Sequence, residues 1–168
     1  MVKKAFRYIL VKTYFGHVGL VRTGKGIYSV ILPARDRKSI EGFIEDRYAA
    51  ARKTKSGFTK AVKNIKAYFA KKNADLRLKL DLDGLSRFDR DVYRVAATIP
   101  RGQTRSYGWI AEKLGDLKKS RAVGQSLAKN RLPVVIPCHR VVGRHDFGGF
   151  NLGVASKRML LSLEGRLW

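Results

Sequence analysis

Long apolar runs, cysteine and acidic residues are all scarce in this chain of 168 residues. The longest apolar runs, such as residues 132–136, are broken by proline or charge and fall well short of the ~20 residues of a membrane-spanning helix. No long apolar stretch follows the first residues, which argues against a signal peptide. A single cysteine excludes an internal disulfide, and a structural zinc site usually needs several cysteines or histidines. These absences predict an intracellular, cytoplasmic protein without a membrane segment, metal or cofactor.

The shortage of acidic residues leaves a strongly basic protein. Lysine and arginine number 36 against 13 aspartates and glutamates, a formal net charge of +23. Residues 1–84 carry +13 and residues 85–168 carry +10, and residues 118–144 hold seven basic side chains and no acidic one. Such an excess favours a polyanionic partner such as nucleic acid. A surface that serves only solubility or heat resistance is the alternative.

The first half of the chain is typical of a small α/β domain. Apolar residues alternate with polar ones over residues 6–32 and glycines interrupt the run, which predicts paired strands with a turn at residues 23–26. Ser39 is the predicted N-cap of a helix that continues to about Ala51.

A second, basic helix is predicted over residues 58–72. Leucines alternate with charged residues over 76–82, which predicts another strand. A turn at residues 81–84 then marks a boundary between two predicted domains, residues 1–80 and 81–168.

The second half is predicted to be mainly helical. Ser86 is the expected N-cap of a helix that ends before Pro100, and a short helix follows over residues 106–115. Asp116 can cap the next helix, predicted over 117–129. Two short helices joined by a glycine-containing turn are a candidate helix-turn-helix. The small residues of the second helix would let it approach a nucleic-acid backbone closely, although they could instead pack against the first helix.

The only cysteine, Cys138, lies in a distinctive setting. A lone cysteine is usually a small core residue, but this one follows a buried apolar run and precedes His139 among several basic residues. A neighbouring base or cation turns a cysteine into a nucleophile. The histidine would need an acidic partner to hold its tautomer. Four candidates lie near in sequence: Glu112, Asp116, Asp146 and Glu164.

The segment Pro137-Cys-His-Arg-Val-Val142 resembles the active-site motif of the O6-alkylguanine-DNA alkyltransferases. Further blocks at matching spacing extend the resemblance over about residues 86–166: Pro100-Arg-Gly102, Ser106-Tyr-Gly108, Ser120-Arg-Ala-Val-Gly124, Asn130, Gly149-Phe150, Lys157, Leu160-Leu161 and Glu164-Gly165. The resemblance implies an α/β fold with a small ribonuclease-H-like N-terminal domain. A mainly helical C-terminal domain with a helix-turn-helix would follow it.

The resemblance also implies catalytic roles for five residues. Cys138 would accept the alkyl group, His139 would be the general base acting through a water, and Glu164 would orient that histidine. Asn130 would brace the turn between the recognition helix and the cysteine loop. Tyr107 would press on the target phosphate and donate a proton to N3 of the leaving guanine.

Two further sets of residues follow from the same resemblance. Arg121 would fill the gap that a flipped base leaves in the stack. The remaining phosphate contacts would come from Tyr107, Gly108, Ser120 and Arg144. The alkylguanine pocket would be walled by Leu127, Pro133, Val141, Phe150 and Asn151, with carbonyls of the cysteine loop reading the guanine amine.

Two pocket residues depart from the family pattern, which often has tyrosine at Phe150 and serine at Asn151. The interpretation is a change in substrate tolerance rather than a loss of activity. The N-terminal half has no cysteine and only His17, so the zinc site of some relatives cannot form here.

The implied partner is double-stranded DNA that contains O6-alkylguanine. The protein is expected to be a monomer associated with the nucleoid, with cooperative binding along DNA left open. Two other classes stay open from the sequence: a non-catalytic helix-turn-helix DNA-binding protein and a cysteine hydrolase.

Overall fold

The computed structural model describes residues 4–34, 36–144 and 146–166. Within them the chain has a mixed α/β fold, with a four-stranded sheet, a two-stranded pair and six α-helices. It divides into two compact units, the first ending at Asp81 and the second beginning at Leu82. None of the helices in these residues is both long enough and apolar enough to cross a bilayer.

The sheet of the first unit has four strands. Strands β1 (Arg7–Thr13), β2 (Gly16–Arg22) and β3 (Ile27–Ala34) form the predicted antiparallel meander, and the turn after β2 is confirmed. The two-residue strand β4 (Arg52–Lys53), which was not predicted, pairs parallel to β1.

Two helices cover this sheet with their apolar sides. Helix α1 (Arg37–Arg47) buries Ile40 and Ile44, and helix α2 (Thr59–Phe69) lies within the predicted range 58–72. The predicted N-cap of α1 is wrong. Asp36 caps the helix and accepts from the backbone N–H groups of Lys38 and Ser39, both at 3.0 Å. A carboxylate three residues earlier can reach these free amides, and the Ser39 hydroxyl donates to it instead.

The strand predicted over residues 76–82 is also wrong. Only Leu80 forms a bridge, parallel to Ile27, with hydrogen bonds of 2.8 Å on either side of it. The backbone passes so close there that a Cβ on Gly26 would lie 2.4 Å from the Lys79 carbonyl oxygen. The alternating leucines therefore mark an extended segment that touches the edge of β3 at one point.

The second unit begins with helix α3 (Arg87–Ala97), whose predicted cap Ser86 forms a capping box with Asp89. Helix α4 (Tyr107–Lys113) is capped by Ser106 and ends before Gly115. Asp116 caps a 3-10 turn, Leu117–Lys119, that leads into helix α5 (Ser120–Ala128). The long helix predicted after Asp116 is thus a 3-10 turn followed by a shorter α-helix.

A short parallel pair that the sequence did not reveal joins two distant parts of this unit. Strand β5 (Arg105–Ser106) pairs with β6 (Val141–Val142), which directly follows the cysteine turn. Helix α6 (Val154–Leu163) packs against that turn. The start of α4 and the residues around Cys138 are thereby held together.

Candidate active site

The cysteine loop is buried and fixed by one asparagine. Cys138 opens a 3-10 turn and is only 8% exposed. The Asn130 side-chain amide donates to the Cys138 Sγ at 3.0 Å and to the Ile136 carbonyl at 2.9 Å, and its oxygen accepts from the Leu132 N–H at 2.9 Å. Asn130 thus ties the end of α5 to the thiol.

Backbone strain is present in the same loop. Val134 is buried and has a φ of 74°, a left-handed conformation that a β-branched residue rarely adopts. Such strain persists only where the surroundings hold it, and it is concentrated at functional sites. Here the buried loop residues and the Asn130 hydrogen bonds hold it.

Glu164 gathers three partners behind the cysteine. Its carboxylate accepts from His139 Nε2 at 2.8 Å and from both Nε and Nη2 of Arg140, each at 2.9 Å. The Gly102 N–H donates to it at 3.2 Å. Burial opposes its ionisation, but these hydrogen bonds outweigh burial and hold the pKa of Glu164 below its ordinary value. Of the four acidic candidates near Cys138 in sequence, this one partners the histidine.

The protonation states of the pair Cys138–His139 follow from their burial. Burial raises the pKa of the Cys138 thiol to about 11, against the opposing effects of the Asn130 hydrogen bond and the Lys157 charge. Burial lowers the pKa of His139, although the hydrogen bond to Glu164 raises it in part. At neutral pH the resting site therefore holds a neutral thiol and a neutral imidazole. With Nε2 donating to Glu164, Nδ1 is the ring nitrogen that can accept a proton.

A cleft of about 1220 Å³ opens in front of the thiol. Nine of the predicted site residues line it: Cys138, Tyr107, Gly108, Ser120, Arg121, Leu127, Arg144, Phe150 and Asn151. Residues of helices α4 and α5 line the cleft together with residues 149–151. A Cβ on Gly124 would lie 3.7 Å from the Tyr107 ring. The site thus combines a nucleophile with a basic, helix-lined opening.

The other predicted site residues lie behind the cleft surface. His139, Glu164 and Asn130 are buried around the cysteine turn. Pro133 and Val141 are buried too and are not among the cleft-lining residues. The Val141 carbonyl accepts from Lys157 at 2.7 Å.

Two buried cations were not assigned a role from the sequence. Arg140 neutralises Glu164 and donates to the Ile99 carbonyl at 2.6 Å. Lys157 is fully buried, and its ammonium donates to the carbonyls of Val141 and Phe147 at 2.7 Å and of Gly149 at 3.5 Å. Burial lowers the pKa of Lys157 to about 8.

Lys157 therefore fixes the cleft wall, which the Tyr107 hydroxyl also holds by donating to the Gly149 carbonyl at 3.3 Å. The sequence carried a signal for its burial. Lys157 stands three and four residues before Leu160 and Leu161, on the apolar face of α6.

Comparisons with known proteins identify the family of the chain. The model of the 6-O-methylguanine DNA methyltransferase DNA-binding domain matches residues 87–166. A methylated-DNA–protein-cysteine methyltransferase from Saccharolobus islandicus is 34% identical over 158 residues, which cover 94% of this chain and 95% of that protein. The chain belongs to the methylated-DNA–protein-cysteine methyltransferase family.

Two further relatives extend the comparison. The methyltransferase of the same name from Mycolicibacterium paratuberculosis is 44% identical over 110 residues, 65% of this chain, and the match spans 66% of that protein. The crystal structure of Mycobacterium tuberculosis OGT in complex with DNA is similar with a TM-score of 0.75 and 31% identity. That similarity covers 95% of this chain and 92% of the other. Cys138 is the only cysteine of this methyltransferase.

Proposed function

We propose that this protein repairs DNA by moving the alkyl group of O6-alkylguanine in a duplex onto the Sγ of Cys138, once per molecule. The observation that carries the proposal is the buried chain Glu164–His139 beside the only thiol, which faces a basic cleft. The names of the relatives describe the same transfer, from methylated DNA to a protein cysteine.

The reaction proceeds in one displacement. His139 Nδ1 takes the thiol proton through a water, and Sγ attacks the methyl carbon as the bond from that carbon to guanine O6 breaks. The Tyr107 hydroxyl donates a proton to N3 of the departing guanine, and the His139 imidazolium returns the former thiol proton to the tyrosinate through water. Movement of the base proton from N3 to N1 through solvent then leaves normal guanine. A thioether forms that water does not hydrolyse at a useful rate, so each protein molecule reacts once.

The negative charge of Glu164 supports the proton transfer. A carboxylate hydrogen-bonded to Nε2 fixes the tautomer and stabilises the imidazolium that forms. The hydrogen bonds from His139 and Arg140 keep this carboxylate ionised although it is buried. The activated thiolate then arises only when the histidine accepts its proton.

The target guanine must leave the duplex to reach the thiol, because Cys138 is buried and the guanine O6 lies on the major-groove edge, away from a helix that approaches through the minor groove. Helices α4 and α5 form a helix-turn-helix, and the small residues of α5 let it enter the minor groove. Arg121 replaces the flipped base, while Tyr107, Gly108, Ser120 and Arg144 lie on the same cleft as phosphate contacts. Phosphate contacts carry little sequence information, which suits damage recognition in any sequence.

The pocket and the first unit complete the proposal. Phe150 and Asn151 stand at the cleft opening, and they set which alkyl groups are accepted. Leu127 lines the cleft, and Pro133 and Val141 support the pocket from behind. The strand order β3-β2-β1-β4, with β4 parallel to β1, supports a ribonuclease-H-like first unit. The protein acts as a monomer in the compartment that holds the DNA.

The rival classes predict different stoichiometry. A non-catalytic helix-turn-helix protein gives no covalent product, and a cysteine hydrolase turns over many times. The test mixes increasing amounts of duplex that contains one O6-methylguanine with a fixed amount of protein and counts repaired guanines. A plateau at one per protein molecule supports the proposal, whereas zero or many repaired guanines would overturn it.

A further inference from the structure

A second concave site lies in the first unit, apart from the cleft at Cys138. Its volume is about 500 Å³, and Ile9 and Leu10 form its apolar part. Every ionisable residue among the described residues that line it is basic: Lys12, His17, Arg37, Lys53 and Lys55. We refer to this site as the cationic pocket.

The sheet and one helix bring these side chains together. Lys12 and His17 stand opposite each other in the β1–β2 register. The Thr54 N–H donates to the Tyr8 carbonyl at 2.9 Å, which holds the segment after β4 against β1. Arg37 is the first residue of α1. The basic side chains therefore come from four segments, on a framework of backbone hydrogen bonds.

Nearby carboxylates neutralise only part of this charge. Glu41 pairs with both Arg37 and Lys53, which orders these two cations on the rim. Asp36 is engaged with the helix amides, so the N-terminus of α1 is not the binding feature. Lys12 and Lys55 are exposed and make no ion pair with the described residues. The cationic pocket thus retains net positive charge and two uncommitted ammonium groups.

We propose that the cationic pocket binds phosphate groups of a nucleic-acid backbone and gives the first unit a DNA contact of its own. Residues 1–84 carry +13 of the formal charge of +23, and the alkyl-transfer site uses none of it. Ammonium groups suit phosphate oxygens, and the apolar part suits a sugar. The proposal shares with the proposed function only that DNA is the ligand.

The test compares two double variants of equal charge in the full-length protein. Lys12→Gln/Lys55→Gln changes the cationic pocket, and Lys63→Gln/Lys66→Gln removes the same charge from the exposed face of α2. Binding to a fluorescent undamaged duplex is measured by anisotropy from low to high salt. Each lost phosphate contact should reduce the log–log salt slope by about one and weaken binding about fivefold at ~0.15 M salt.

The pocket variant should therefore lose about fivefold to 30-fold in affinity, and the α2 variant much less. Equal losses in the two variants, or no loss in the pocket variant, would overturn the proposal. Alkyl transfer at saturating DNA should be unchanged in both variants. If even the wild-type protein transfers nothing, the proposed function fails, while the binding comparison still decides on the pocket.

A second readout separates DNA from a small phosphate ligand. The His17 ring signals are followed by NMR during titration with undamaged duplex and, at constant ionic strength, with inorganic phosphate. Shifts with the duplex at low concentration support a backbone contact. Shifts with inorganic phosphate alone would overturn it.

Discussion

The pH dependence of alkyl transfer should reveal whether His139 activates the thiol. With a pKa of about 11, Cys138 is a free thiolate in only ~3 × 10⁻⁴ of molecules at pH 7.5. If that free thiolate were the nucleophile, the rate would rise about tenfold per pH unit, or about 100-fold from pH 7 to pH 9. Transfer of the proton to His139 removes this dependence, because the neutral pair has the same total charge as the thiolate–imidazolium pair.

The expected profile is therefore level between about pH 6.5 and about pH 8 and falls on the acid side. Burial lowers the pKa of His139, so the histidine is in its basic form at neutral pH and is lost as a base only as the pH falls through that lowered value. Lys157, with a pKa of about 8, loses its proton above that pH and loosens the cleft wall. This change lowers the rate at alkaline pH and does not raise it.

The assay is single-turnover transfer from a methyl-labelled duplex at saturating protein. It covers the range from about pH 5.5 to about pH 9.5, which brackets the titration of His139 and Lys157. As a control, DNA affinity is measured at each pH, and the protein concentration is chosen so that the duplex stays saturated. A tenfold rise per pH unit between pH 7 and pH 9 would refute the histidine relay.

Four substitutions test separate parts of the account. Glu164→Gln should slow transfer by about 10²-fold or more and destabilise the fold by about 3–5 kcal/mol, because Arg140 is left buried without its carboxylate; chemical denaturation and single-turnover rates measure both. Glu112→Gln, on the cleft surface, is the matched control, and equal effects of the two would remove Glu164 from the relay. Asn130→Ala should lower the free energy of unfolding by about 1–3 kcal/mol for each buried backbone group that loses its partner, and it should slow transfer. An unchanged thiol pKa and an unchanged transfer rate would show that Asn130 does not position the cysteine loop. Gly124→Ala should stabilise α5 by about 0.5–1 kcal/mol in thermal melts yet weaken DNA binding, and unaltered affinity would argue against close approach of this helix to DNA. Arg121→Ala should reduce the transfer rate more on duplex than on single-stranded substrate, and equal fractional losses would favour a simple phosphate contact.

Local sequence signals predicted the elements whose stabilising contacts are also local. The capping box of Ser86 and the turn at Gly115 lie within a few residues of the helices that they bound, so the helix positions follow from the sequence. The Ser39 cap was wrong because an aspartate three residues earlier competes for the same amides. The strand over 76–82 was wrong because alternation predicts an extended backbone but not whether a neighbouring strand is present along its length.

The candidate site divides in a similar way. The resemblance around Cys138 pointed to His139 and Glu164, and the structure brings them together. The short pair β5–β6 joins residues 35 or more positions apart, and no local pattern reports such a contact. Arg140 and Lys157 were missed because ionisable side chains are expected at the surface, and their burial depends on carboxylate and carbonyl partners that are known only after folding.

The identity of the modified atom tests the central claim most directly. The full-length protein is incubated with duplex that contains one O6-methylguanine, and its intact mass and peptide map are recorded, with Cys138→Ala as the control. We predict a mass increase that corresponds to one methyl group in place of the thiol proton, located at Cys138, while the variant still binds DNA and remains unmodified. Repair of guanine without any mass change at Cys138 would contradict the account.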